Sequence, residues 1–395
     1  MSKPLKLLAD VKYGKSPNDV RTDQSSIPIY GTSGIVGCAS RGLFQGEGAV
    51  VGRKGTLDKP IYVTGDYWVI DTAYAVAPFQ DVDAKWLYYN LASYDLVSLN
   101  EATGVPSINR DYLYRIEFVT PSYPEQRKIA KILSTVDNLI EKTQALIDKY
   151  QSIKQGMMHD LFTCGVDEHG QLRPSYKEAP HLYKESELGW RPKEWEVVNL
   201  GSIADKITSG SRGWAPYYAE DGDLFMRIGN LTREHINFRF DDVVRVALPK
   251  RAEGARTQLE AGDLLISITA DLGIVGVVPT SFETAYVNQH IALVRCSHYS
   301  VNQRWLGHFL ASKAGQLQFE RLNDSGAKAG LNLPTVGALR IAQSSKREQD
   351  VVQARLDQID GCIHKYKLEL SKLRSLKSGL MQDLLTGKVR VNTNN

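Results

Sequence analysis

The chain has no apolar run near 18 residues and no basic-then-apolar leader, so neither a membrane span nor a secretion signal is expected. Cysteine is scarce: Cys38, Cys164, Cys296 and Cys362 are scattered, without CxxC or Cys/His ligand spacing. They read as reduced thiols of a cytoplasmic protein, and no metal site is expected. The signatures of phosphate, dinucleotide and metalloprotease chemistry are missing as well. There is no GxxxxGK[ST], no GxGxxG after a strand, no HExxH and no [DN]PP[YF]. GTSGIVG has the wrong glycine spacing, and NLPT at Asn332 is not an amino-methyltransferase motif. The eight histidines are dispersed, and no Ser or Cys has the setting of a nucleophile. No catalytic residue is therefore assigned. Charge gives little direction, since a net +3 permits nucleic-acid binding without arguing for it.

What is present is a duplication. Pro124 to Phe162 aligns without a gap on Arg347 to Leu385 when 223 is added to each number. Glu125/Glu348, Gln126/Gln349, Leu133/Leu356, Asp137/Asp360, Ile140/Ile363, Lys142/Lys365, Lys154/Lys377, Gly156/Gly379, Met158/Met381, Asp160/Asp383 and Thr163/Thr386 are identical pairs. A fixed offset over such a length is an internal repeat. Both copies carry the apolar stripe of a coiled-coil seam. The expected helix-pairing residues are Leu133, Val136, Ile140, Ile147, Tyr150 and Met157 in the first copy, and Leu356, Ile359, Ile363, Leu370, Leu373 and Leu380 in the second. Thr143 and Lys154 interrupt the first stripe, and Lys377 interrupts the second. About 38 residues give a rod of roughly 57 Å. Left alone, each helix would expose its seam to water, so the other copy is the expected partner. A second apolar row on the first copy, Ile132, Leu139, Leu146 and Ile153, predicts further burial there, against a linker or a partner protein.

With 395 residues, 42% of them hydrophobic and 24% charged, the chain is expected to form two to three globular domains. Residues 1–122 alternate short β-rich runs with Gly/Pro/Asn turns and form one globule. Residues 123–164 are the first long helix, and the polar, period-free 165–195 reads as a linker. A second strand-rich globule covers 196–345, the second helix 346–390, and a tail 391–395. Trp86/Trp305, Leu87/Leu306, Leu91/Leu310, Ala92/Ala311 and Ser93/Ser312 match at an offset of 219, so the whole unit, globule plus helix, is duplicated. The predicted fold class is α+β: two mixed α/β domains separated by two long helices that form an antiparallel coiled coil with internal pseudo-twofold symmetry. Antiparallel pairing predicts a head at each end of the rod. Two similar but unlike heads suit the reading of two elements on a duplex, where grooves recur every ~34 Å.

At SINRDYLYRIEFVTPSYPEQRKIAKIL, GLMQDLLTGKVRV and LGWRPKEWEVVNLGSIA the chain resembles the DNA-specificity subunit of type I restriction-modification systems. The resemblance spans nearly the whole chain, except that QSSKREQ lacks the proline pair opening the first helix. It implies two target recognition domains, each reading one half of a bipartite asymmetric sequence in double-stranded DNA, with the helices as spacer. It also implies a non-catalytic subunit that docks two methyltransferase (modification) subunits and two restriction (motor nuclease) subunits. No cofactor is expected on this chain; S-adenosylmethionine, ATP and Mg belong to the partners. The alternative is a two-headed coiled-coil scaffold that binds proteins and not DNA.

Candidate DNA-binding residues follow from residue type and loop context. In the first globule they are Lys12, Tyr13, Lys15, Tyr30, Thr32 and Ser33, with Arg53 and Lys54 on the glycine-flanked turn GRKGT, which is suited to phosphate. In the second they are Arg212, Trp214, Tyr217, Arg227, Asn230, Asn288 and Gln289. Arg suits guanine, and Asn and Gln suit adenine. GRKGT is also compatible with a solvated hairpin, and NQH with a structural cap.

Overall fold

The computed structural model describes residues 1–210, 212–248, 256–297, 299, 301–324 and 330–392. The chain divides into two compact units. One comprises Met1–Ala145 with Tyr366–Asn395, and the other Leu146–Lys365. Each unit thus gathers one globule with half of each long helix. Those helices are Tyr123–Thr163 and Lys346–Leu385. They begin alike. Gln126 Nε2 donates to Pro121 O in the first and Gln349 Nε2 to Ser344 O in the second; Ser122 N–H and Oγ also donate to Glu125, and Ser345 Oγ accepts from Glu348 N–H. The missing proline pair therefore does not alter the start of the second helix. Both helices stop just ahead of a left-handed glycine, Gly165 (φ +66°) and Gly387 (φ +72°). At Gly165 a Cβ would lie 2.1 Å from Glu348 Oε1, so no other residue fits.

Within each unit the helix segments run antiparallel. In the first unit Asp137 pairs with Lys377 at 2.6 Å, and Glu125, at the start of one helix, pairs with Arg390, beyond the end of the other. In the second unit Lys154 pairs with Asp360 at 2.5 Å. Asp137/Asp360 and Lys154/Lys377 are two of the identical pairs of the repeat. The two lysines that break the apolar stripes therefore hold the aspartates of the opposite copy. The expected pairing residues Leu133, Val136, Ile147, Leu356, Ile359, Ile363 and Leu370 are buried. Ile140, Tyr150, Met157, Leu373 and Leu380 are half-buried. Leu133 joins the core of the first globule and Leu356 that of the second, so the seam is shared between helix and globule. Of the second row, Ile132 packs on the first core, but Leu139, Leu146 and Ile153 remain 46%, 37% and 41% exposed.

The 165–195 segment is not a loose tether. Val166 N–H, Arg173 and Trp195 Nε1 all donate to Glu348, Arg355 donates to Gly170 O, and Tyr176 stacks on Trp190 at 4.2 Å. These bonds join residues some 150 or more positions apart, which no local period reports.

The globules share an architecture that their side chains conceal. In the first, strands Ala9–Tyr13, Ala73–Pro78, Gly48–Gly52 and Ile61–Val63 form an antiparallel sheet in that order. In the second, Lys206–Ser209, Ile291–Arg295, Leu264–Ser267 and Val275–Val277 repeat it. Each unit adds a second sheet built on a parallel pair, Ile27–Tyr30 with Asp66–Val69 and Asp223–Met226 with Ala285–Val287. Helices Ala84–Ser93 and Gln303–Ala311 join globule to rod identically. Gln126 Oε1 accepts from Asp83 N–H, and Gln349 Oε1 from Asn302 N–H, both bonds made at the helix N-caps. Asn109 and Asn332 likewise cap the short helices Arg110–Arg115 and Leu333–Gly337.

Candidate nucleic-acid interface

In the first unit one corner carries most of the candidates from the sequence, in the second the equivalent corner carries Asn288 and Gln289, and the two corners are built by the same backbone bonds. In the first unit Arg53 N–H donates to Thr72 O (2.9 Å), Ile108 N–H to Arg53 O (2.9 Å) and Ala73 N–H to Ile70 O (3.1 Å). Lys54 bridges to Ser107. In the second unit Ile268 N–H donates to His290 O (3.0 Å), Leu331 N–H to Ile268 O (2.8 Å) and Ile291 N–H to Asn288 O (3.3 Å). Thr269 bridges to Gly330. Arg53 and Lys54 therefore stand where Ile268 and Thr269 stand in the other unit, and Ile70–Thr72 where Asn288–His290 do. Gly14 and Gly210 close each corner. A Cβ at either would fall within 2.1 Å of a backbone oxygen.

The first corner is cationic and aromatic. Tyr13 is 46% exposed at the end of its strand, beneath the guanidinium of Arg53. Arg53 Nη1 donates to Asp71 O at 3.0 Å, and Lys54 is exposed. Thr32, in the tight turn closed by Gly31 N–H to Gly34 O, places its hydroxyl 3.9 Å from where a Gly55 Cβ would sit. The YGTSG and GRKGT loops thus meet. Ser33 is exposed on the same turn. Tyr30 is half-buried against Tyr67, Lys15 is exposed with its backbone tied to Val69 and Trp68, and Lys12 faces solvent beside Asp10 at 3.8 Å. Burial and the neighbouring Tyr13 push the Tyr74 phenol up to about 12. Arg110 was missed by the sequence reading. It lies over Tyr13 and Tyr114, and only the offset pair Asn109/Asn332 beside it gave any signal.

The second corner is built from amides, an imidazole and a hydroxyl. Asn288 Oδ1 accepts from His290 N–H (3.1 Å), Gln289 Nε2 meets His290 Nε2 (2.9 Å), and His290 Nδ1 meets Thr269 Oγ1 (2.8 Å). Asn288 is buried and Gln289 half-buried. Ala270 next to it holds a left-handed φ of +58°, the sole such non-glycine among the described residues. His290 and Thr269 complete this chain and were not foreseen.

Three of the second-unit candidates are corrected by their surroundings. Trp214 is buried among Phe225, Tyr286 and Tyr217, with the Phe225 centroid 4.5 Å away, so it is core and not a stacking platform. Tyr217 packs on that same cluster, half-buried. Asn230 is buried with both ends of its amide engaged: Oδ1 accepts from Arg227 N–H and Nδ2 donates to Arg239 O and Asp242 O. Arg227 is neutralised by Asp242 at 2.6 Å. Arg212 is exposed.

The architecture defines a class: a duplicated chain of two mixed α/β units, each built on antiparallel segments of two long helices. Residues 1–149 match the family model described as the Type I restriction modification DNA specificity domain. The chain is 27% identical over 321 residues to the type I restriction enzyme MjaVIII specificity subunit of Methanocaldococcus jannaschii, covering 78% of this chain and 71% of that one. Over 121 residues, 30% of each chain, it is 26% identical to the EcoprrI specificity subunit of Escherichia coli. Its fold matches the type I restriction-modification S subunit from M. genitalium with a TM-score of 0.68 at 17% identity, covering 98% of this chain and 96% of that one. The chain is similar to type I restriction-modification specificity subunits along most of its length, and DNA sequence recognition is the class of function this likeness supports.

Proposed function

We propose that this chain is the non-catalytic specificity subunit of a type I restriction-modification enzyme. Each unit reads one half of a bipartite, asymmetric target in double-stranded DNA. The paired helices set the spacing and dock two methyltransferase subunits and two restriction subunits, which carry S-adenosylmethionine, ATP and Mg. One observation carries this reading: a common backbone corner presents Arg53, Lys54 and Tyr13 in one unit and Asn288, Gln289, His290 and Thr269 in the other. A scaffold for two like partners has no use for that divergence, whereas a reader of two unlike half-sites requires it.

The test is to co-express the chain with its methyltransferase subunits and map methylation across the genome. A two-part motif is expected. Exchanging residues 197–345 for the same segment of a related subunit should change one half and leave the other intact; a change in both halves would refute the modular reading. Binding to the cognate duplex should weaken steeply with salt. Indifference to DNA at every salt concentration would favour the protein scaffold instead.

A further inference from the structure

Nothing in the motifs or in the relatives' names assigns a role to Arg110. Its guanidinium carbon lies 5.1 Å from the Tyr13 ring centroid and 5.7 Å from that of Tyr114, and the Arg53 guanidinium shares the Tyr13 ring at 5.2 Å. The rings are themselves fixed. The Tyr114 hydroxyl donates to Asp10 Oδ1 and accepts from Val11 N–H, both at 3.0 Å. Tyr13 meets Tyr74 edge-on at 5.1 Å. Arg110 Nε is buried without a hydrogen-bond partner, and among the described residues no carboxylate pairs with this guanidinium. Arg191 and Arg227 also leave Nε buried and unpaired, but each commits a terminal nitrogen, to Trp190 O and to Asp242. Arg110 is gripped through ring contacts, a mode that leaves in-plane N–H donors uncommitted and the side chain already ordered.

We infer that Arg110 reads a guanine in the half-target of the first unit, donating two parallel N–H bonds to O6 and N7, with Tyr13 as the residue that positions it. The inference rests on the DNA-reading function proposed above and adds to it a base and a reader. A guanine edge is the base feature that matches a planar two-pronged donor, and a pre-ordered fork loses little entropy on engaging it. Contacts to phosphate demand no such ordering.

The experiment uses the full chain assembled with its methyltransferase subunits, and duplexes carrying the mapped motif. Swapping residues 197–345 first identifies the half read by the first unit. In that half, 7-deazaguanine at one guanine should weaken binding by the wild-type complex about 10- to 100-fold. Arg110→Lys, which keeps the charge and loses the fork, should lose a similar factor on the natural duplex and nothing more on the modified one. Tyr13→Phe should keep discrimination at that guanine, while Tyr13→Leu should lose part of it at unchanged melting temperature. The inference is overturned if the half contains no guanine, or if no 7-deazaguanine position matters. It is also overturned if Arg110→Lys is silent or weakens all duplexes evenly, the mark of a phosphate contact. If the complex shows no salt-dependent DNA binding at all, the proposed function fails and not merely this assignment.

Discussion

In the first unit the corner beside Gly14 is built of Tyr13, Arg53, Lys54 and Arg110; in the second, the corner beside Gly210 is built of Thr269, Asn288, Gln289 and His290. The backbone bonds that make the corners are the same, and the side chains share almost nothing. Where each globule meets its helices the reverse holds. Glu125/Glu348, Gln126/Gln349, Asp137/Asp360 and Lys154/Lys377 are identical and make matching contacts. The comparison teaches where this chain tolerates change. Contacts that clamp the helices are held by paired charges, whose loss is costly. The frame that the two corners share is made of backbone bonds, so the side chains on it are free to differ.

The equivalent contacts differ in depth, and this gives the largest predicted effect. The Lys154 and Asp360 side chains are 10% and 5% exposed, whereas Lys377 and Asp137 are 28% and 26% exposed. Lys154→Met strands Asp360 in the interior and should cost about 3–5 kcal/mol, seen as early urea unfolding of the second unit. Lys377→Met should cost about 1 kcal/mol in the first, because solvent screens that pair. Replacing both partners, Lys154→Met with Asp360→Leu, should restore most of the loss. Equal costs in the two units would erase the distinction.

A second contrast is titratable. Tyr89 donates to Asp137 in the first unit, and at the matching position His308 meets Asp357 at 2.9 Å in the second. Burial lowers the His308 pKa against the raising pull of Asp357 and Asp360, with the Lys154 cation adding to the lowering, and burial lowers that of His235 as well. Each ring therefore takes up its proton at lower pH in the fold than in the unfolded chain, which titrates near pH 6.5. The second unit should lose stability as pH falls below that value, by at most about 1.4 kcal/mol per pH unit for each ring. The carboxyl of Asp357 is held well below its usual range, chiefly by His308 and Arg304 against the cost of burial, so its contribution persists to far lower pH. The first unit has burial acting on Tyr89 in the other sense, raising its pKa, and should be flat above pH 5. Its acid response begins lower. Glu125, whose pKa is lowered first by Arg390, gives its stability above the ordinary carboxylate pKa near 4.3 and loses it as pH drops further. Unit-resolved hydrogen exchange between pH 7 and 5 tests the contrast, and the double variant His308→Gln/His235→Gln should abolish it.

How much of this was legible in the sequence depended on the range of the interaction. The helices were readable because a 3.5-residue period and a gapless offset are local statements. Lys154 and Lys377 looked like flaws because their partners lie more than 200 positions away, although Asp137/Asp360 stood among the identical pairs. That the globules are copies was readable from Trp86/Trp305 and its neighbours at an offset of 219, but their sheet topology was not, since backbone hydrogen bonds leave no residue signature. Trp214 was misplaced for a related reason: WAPYY resembles an exposed aromatic loop until Phe225 and Tyr286 arrive from other strands. Arg53, Lys54, Asn288 and Gln289 were proposed from residue type, and the structure sets them on equivalent corners.

The smallest effect separates charge from readout at those corners. Lys54 is exposed on the turn between Arg53 and Gly55, where a phosphate contact needs only proximity. Lys54→Ala should weaken binding evenly across duplexes and reduce the slope of log K against log salt by about 1. Gln289 is an amide in a chain with His290, so Gln289→Ala removes no charge and should leave that slope unchanged. Its effect should instead depend on the bases of the second half-site, because an amide distinguishes adenine from guanine and a phosphate contact distinguishes neither. If Gln289→Ala also changed the salt slope, the second corner would be acting through the duplex backbone, and the contrast between the two corners would reduce to one of charge.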